Sequence, residues 1–105
     1  MPGGEKPFTV AAVQATPVFM DRDRTVEKAC GLIAEAAKAG AKVIVFPEAF
    51  VPAYPDWVWV LPPGEAAMHR ELYGELLDQS VAVPSAATER LAKAAKVARA
   101  YVVMG

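Results

Sequence analysis

Among the residues able to do chemistry, a carboxylate stands out by its position. Glu48 follows Lys42-Val43-Ile44-Val45-Phe46-Pro47, an apolar, β-branched run bounded by Gly40 and broken by Pro47, which reads as a buried strand of a parallel sheet. In open parallel α/β sheets ligands bind beyond the carboxyl ends of the strands, so a side chain at that point is aimed at a ligand. Phe46, Phe50, Trp57 and Trp59 lie close by in sequence and are expected to crowd the acid. Burial of that kind raises a carboxyl pKa towards the range useful to a general base. The plainer alternative is a strand-end glutamate that is solvated or caps the next turn.

Three further residue types invite the same question. The stretch from Ala49 to Gly64 interleaves Pro52, Pro55, Pro62 and Pro63 with aromatic rings, a composition that predicts a stiff, ordered loop walling a pocket. Tyr54 is the residue expected to face a substrate, because a phenol offers apolar surface and one hydrogen bond. The competing reading is that these rings cover the sheet or form a subunit contact. The single cysteine, Cys30, falls on a helical stripe with Val26, Ala29, Ile33 and Ala37, without a helix N-terminus or a cationic neighbour to stabilise a thiolate, and is expected to be buried and inert. Glu65 and His69 stand four apart and could share a metal, but no second histidine accompanies them, so a solvated helix face is expected and no metal or cofactor is inferred.

The elements that must position these residues follow from periodicity. Phe8 to Val13 reads as a first strand and Gln14-Ala15-Thr16-Pro17 as the turn after it; no glycine-rich phosphate-binding fingerprint opens the next helix, which argues against a dinucleotide site. Asp21 or Asp23 can cap that helix and Gly40 ends it. A second helix is expected over Glu65 to Asp78, weakened in its middle by Gly74. Pro84-Ser85 starts a third, with Ala87, Leu91, Ala94 and Ala98 as a close-packing stripe. Tyr101 to Gly105 is a third strand, reached without a separating glycine. The order strand, helix, strand, loop, two helices, strand predicts an α/β fold with right-handed crossovers and parallel strands flanked by helices.

Residues 1–7, rich in glycine and proline, read as a flexible lead-in, and 8–105 as the folded part. With 54% hydrophobic residues and a net charge of −1 over 105 residues, the chain is expected to be globular. Its interspersed charges leave no footprint for nucleic acid or an anionic membrane surface, and no apolar run approaches the ~20 residues that span a bilayer. One cysteine and no leader pattern point to a reducing, cytoplasmic setting.

The segments VIVFPEAFVPAYPDW, FTVAAVQATPV before it and SVAVPSAATERLAKAAK after it together resemble the N-terminal third of a nitrilase, of the carbon-nitrogen hydrolase superfamily. The resemblance runs from about Phe8 to Gly105. It implies part of an α-β-β-α sandwich, a small-molecule nitrile substrate, no cofactor, and a homo-oligomer in the complete protein. It also implies a glutamate, lysine and cysteine mechanism in which Glu48 matches the glutamate of the family's Pro-Glu motif. The lysine and cysteine motifs belong to later segments and are absent from this sequence, so the 105 residues alone are expected to be inactive. An amidase or carbamoyl-amide hydrolase of the same superfamily, or a catalytically inert fragment, are the alternatives.

Overall fold

The computed structural model describes residues 6–105. Residues 1–5 of the expected lead-in lie outside the described residues. The elements run β1 (Thr9–Ala12), α1 (Arg22–Lys38), β2 (Ala41–Val45), a short 3-10 turn (Asp56–Trp59), α2 (Ala66–Asp78), α3 (Ala86–Ala98) and β3 (Tyr101–Val103). The strands form one parallel sheet in the order β1-β2-β3, the expected α/β arrangement.

Helices α1 and α3 begin and end for local reasons. The Asp21 carboxylate accepts from the Arg24 N–H at 3.0 Å and caps α1, while Gly40, at φ 89°, supplies the left-handed residue just past its end. Ser85 and Thr88 cap α3 reciprocally, each side chain accepting from the other's backbone N–H. That capping box was not legible because its third position is Thr rather than Glu or Gln. At the other end of α3 the missing glycine is replaced by Arg99 at φ 52°, so a tight join is made at the modest cost of a left-handed non-glycine residue.

Because strands 1, 2 and 3 are adjacent in sequence order, crossovers of one hand place their helices on one side of the sheet. Both α1 and α3 pack there, α1 on β2 and on α3, and α3 against the shared core through Leu91, Ala94 and Ala98. Register puts Ala11, Ile44 and Val102 in line across the strands, facing Ala29, Ile33, Leu91, Ala94 and Ala98 of the helices in a single core. Small alanine side chains on α3 allow that close approach.

The next residues along each strand line the opposite face, and there the expectation of buried strands fails. Val10, Val45, Tyr101 and Val103 are all exposed, because nothing among the described residues packs on that side. The outline is accordingly open: the Cα radius of gyration is 16.8 Å and the extents are 60 × 30 × 20 Å, against ~13 Å expected of a compact domain of this length.

Candidate functional site

Glu48 is carried by a turn anchored on both sides. Phe46 and Phe50 are buried, their rings 5.2 Å apart and tilted by 55°, so the chain is pinned to the core just before and just after Pro47-Glu48-Ala49. Proline, with no N–H to donate, ends the β2 ladder. Ala49 then reverses the chain at φ 51°, a conformation that costs a non-glycine residue about 1 kcal/mol. Phe46 N–H donates to the Val103 carbonyl at 2.9 Å and Val51 N–H to the Gly105 carbonyl at 3.3 Å. The turn is thus bracketed by β3.

With Phe46 and Phe50 committed to the core, Glu48 projects outward onto the wall of a cavity of about 270 Å³. Tyr54, Phe50 and Asp56 share that wall from the proline-aromatic segment; Thr16 and Phe19 come from the loop after β1. Glu48 and Tyr54, both singled out from sequence, therefore meet at one hollow. The expected burial does not hold: Glu48 is exposed. Of the rings expected to crowd it, Trp57 is buried elsewhere, edge-on to Phe19 and to Tyr73 with centroids 6.5 and 5.4 Å away, and Trp59 is 78% exposed.

The loop between β1 and α1 forms the second wall of this cavity and went unrecognised as such in the sequence, where it reads as a turn. Its signal was available: it leaves the carboxyl end of the strand adjacent to β2, where the ligand crevice of a parallel sheet lies. Two side chains from α1 hold it. The buried Thr25 hydroxyl donates to the Val18 carbonyl at 2.9 Å and accepts from the Val18 N–H at 3.1 Å, and the Lys28 ammonium donates to the Thr16 carbonyl.

A larger hollow, about 680 Å³, lies on the outer side of the molecule between α1 and α3, lined by Cys30, Lys38, Arg90, Lys93 and Val97. None of its lining residues comes from the loops at the carboxyl ends of the strands, and the smaller cavity is where Glu48 and Tyr54 converge. Cys30 is half-buried rather than buried, and it does have a cationic neighbour in Arg90, both corrections to the sequence reading. Its thiol donates to the Arg90 carbonyl at 3.8 Å. Burial pushes the Cys30 pKa up, and the Arg90 charge offsets this only in part, so the thiolate is disfavoured and Cys30 remains a poor nucleophile. His69 lies 3.3 Å from the Pro62 carbonyl through Nε2, and among the described residues no group of His, Cys, Asp and Glu is arranged to hold a metal ion. Nor is any described helix long and apolar enough to cross a membrane.

Comparison with known proteins gives the site a context. Residues 9–105 match the model of the carbon-nitrogen hydrolase family. The chain is 49% identical over 87 residues to a nitrilase of Bacillus sp. (strain OxB-1), covering 83% of this chain and 25% of that protein. It is 40% identical over 96 residues to an arylacetonitrilase of Aspergillus oryzae (strain ATCC 42149 / RIB 40), covering 91% and 27%. With a nitrilase of Pseudomonas syringae pv. syringae (strain B728a) it shares 41% over 101 residues, 96% and 29%. The chain spans roughly a quarter of the length of these curated relatives.

Proposed function

We propose, since this chain belongs to the carbon-nitrogen hydrolase family, that it carries the general base and part of the substrate pocket of a nitrilase, an enzyme converting a small-molecule nitrile and two waters to a carboxylic acid and ammonia. The observation that carries the reading is the meeting of Glu48 and Tyr54 at one cavity beyond the carboxyl end of β2. The nitrilase and arylacetonitrilase relatives support the nitrile as substrate class.

A thiol near its ordinary pKa of about 8.5 is mostly protonated at neutral pH and needs a neighbouring base to become a nucleophile. In the proposed sequence of steps Glu48 takes the proton from a cysteine supplied by polypeptide beyond these residues. The thiolate adds to the nitrile carbon, and the nitrogen collects the proton to give a thioimidate. Glu48 next activates a water that adds to the same carbon, ammonia leaves, and a thioester remains. A second activated water cleaves it, releasing the acid and restoring the thiol. A lysine ammonium, also from beyond these residues, would stabilise the charge of the tetrahedral intermediates. Tyr54 would contact the substrate. Cover for Glu48 and for the bare face of the sheet would come from that same polypeptide, so the 105 residues alone are expected to be inactive, and the complete enzyme to be a homo-oligomer working in the cytoplasm without a cofactor.

Ammonia release from a nitrile and from the corresponding amide, measured on the complete enzyme and its Glu48→Gln form, tests this. Glutamine preserves shape and removes the base, and turnover of the nitrile is expected to fall by ~10² to 10⁴. Near-normal turnover in Glu48→Gln would reject the base role. Ammonia from the amide alone would move the substrate class to amides.

A further inference from the structure

We propose that Gly105 is a positioning residue for Glu48, a role that rests on Glu48 acting as the general base. The two backbone hydrogen bonds from Phe46 and Val51 to Val103 and Gly105 draw the Pro47-Glu48-Ala49 turn against the continuation of β3. The approach is closest at Gly105. A β-carbon placed there would land on the Pro47 carbonyl oxygen, 2.7 Å from the Pro47 carbonyl carbon and 2.9 Å from the Glu48 α-carbon.

All three obstructing atoms are backbone. No rotamer change can make room, so any side chain at 105 must drive the strand and the turn apart. Other glycines do not share this property: a β-carbon at Gly31, Gly64 or Gly74 meets nothing within 4 Å, and Gly40 is constrained only by its φ of 89°. The empty space left by Gly105 is thus occupied by the peptide that carries Glu48. A general base must come within ~2.6–3.2 Å of the proton it takes, and a displacement of about 1 Å can cost ~10²-fold in rate. Glu48 is exposed and has no side-chain tether of its own among the described hydrogen bonds, so its aim depends on where its backbone is seated.

The test is steady-state kinetics on the complete enzyme, per folded active site, for Gly105→Ala beside Gly31→Ala and Glu48→Gln. Gly105→Ala is expected to lower kcat by ~10- to 100-fold with KM changed less than ~3-fold, while Gly31→Ala leaves both unchanged. Should Gly105→Ala fold poorly, adding Ala49→Gly frees the turn to retreat from the new methyl group; recovery of the melting temperature without recovery of kcat supports the proposal. Recovery of both together overturns it, as does a Gly105→Ala enzyme with normal kcat or with a raised KM alone. Loss of activity in Glu48→Gln combined with full kcat in Gly105→Ala rejects only the positioning role, whereas an active Glu48→Gln enzyme rejects the base on which it rests.

Discussion

Helices α1 and α2 both carry apolar residues at helical spacing, yet they sit in opposite surroundings. In α1, Val26, Ala29 and Ile33 are buried, Ala29 and Ile33 in the core that the helix shares with β2 and α3. In α2 no residue is buried: Met68, Tyr73 and Leu77 are exposed. What holds the end of α2 is polar, since the Arg22 guanidinium donates to the Asp78 and Ser80 carbonyls at 3.1 and 3.3 Å and the Arg22 N–H to the Gln79 side chain at 2.8 Å. The difference teaches that apolar spacing selects a helix face without guaranteeing it a partner. Here α1 packs into the core and, through Thr25 and Lys28, braces the loop that walls the cavity, whereas α2 leaves its apolar residues open to solvent.

Substitutions graded along this contrast would sharpen or break it. The largest effect is expected at Ile33, which is fully buried: Ile33→Ala should destabilise by about 2–5 kcal/mol in denaturant titration, through lost burial and the cavity left behind. A loss below ~1 kcal/mol would mean the α1 core is not the organising one. Next comes Thr25→Val, isosteric but without the hydroxyl, which leaves the Val18 N–H and carbonyl without the partner they have at the α1 surface. A cost of about 1–3 kcal/mol is expected, together with a higher KM if the loop bearing Thr16 and Phe19 does wall the substrate cavity. Stability loss with wild-type KM would uncouple the loop from the site. The smallest effect is expected at Leu77, which is 75% exposed: Leu77→Ala should change stability by less than ~0.5 kcal/mol. A loss comparable to that at Ile33 would show that the open side is covered in solution, by a second copy or by further polypeptide.

Much of this was legible in residue order. The period of Val26, Ala29 and Ile33, the proline after Phe46, a cap at Asp21 or Asp23 and the glycine at 40 marked the elements and put Glu48 just past a strand end; the structure chose Asp21 as the cap. Tyr54 could be assigned to a pocket wall because a proline-rich stretch with interleaved rings is stiff. The buried environment expected for Glu48 was not legible, since closeness in sequence to Phe46, Phe50, Trp57 and Trp59 does not say which way each ring turns. Two of those rings fill the core, one stacks between Phe19 and Tyr73, and one faces outward.

By itself the sequence determined which residues form strands and helices, which side of each is apolar, and the family to which the chain belongs, because these depend on spacing within one element or on motifs in a fixed order. Only the tertiary structure decided that α1 and α3 share one face of the sheet, that the loop after β1 completes the cavity, that Glu48 stands exposed at its wall, and that Gly105 seats the Pro47-Glu48 peptide. Each of these joins segments distant along the chain, and such contacts depend on how whole elements pack and cross, which local spacing does not encode.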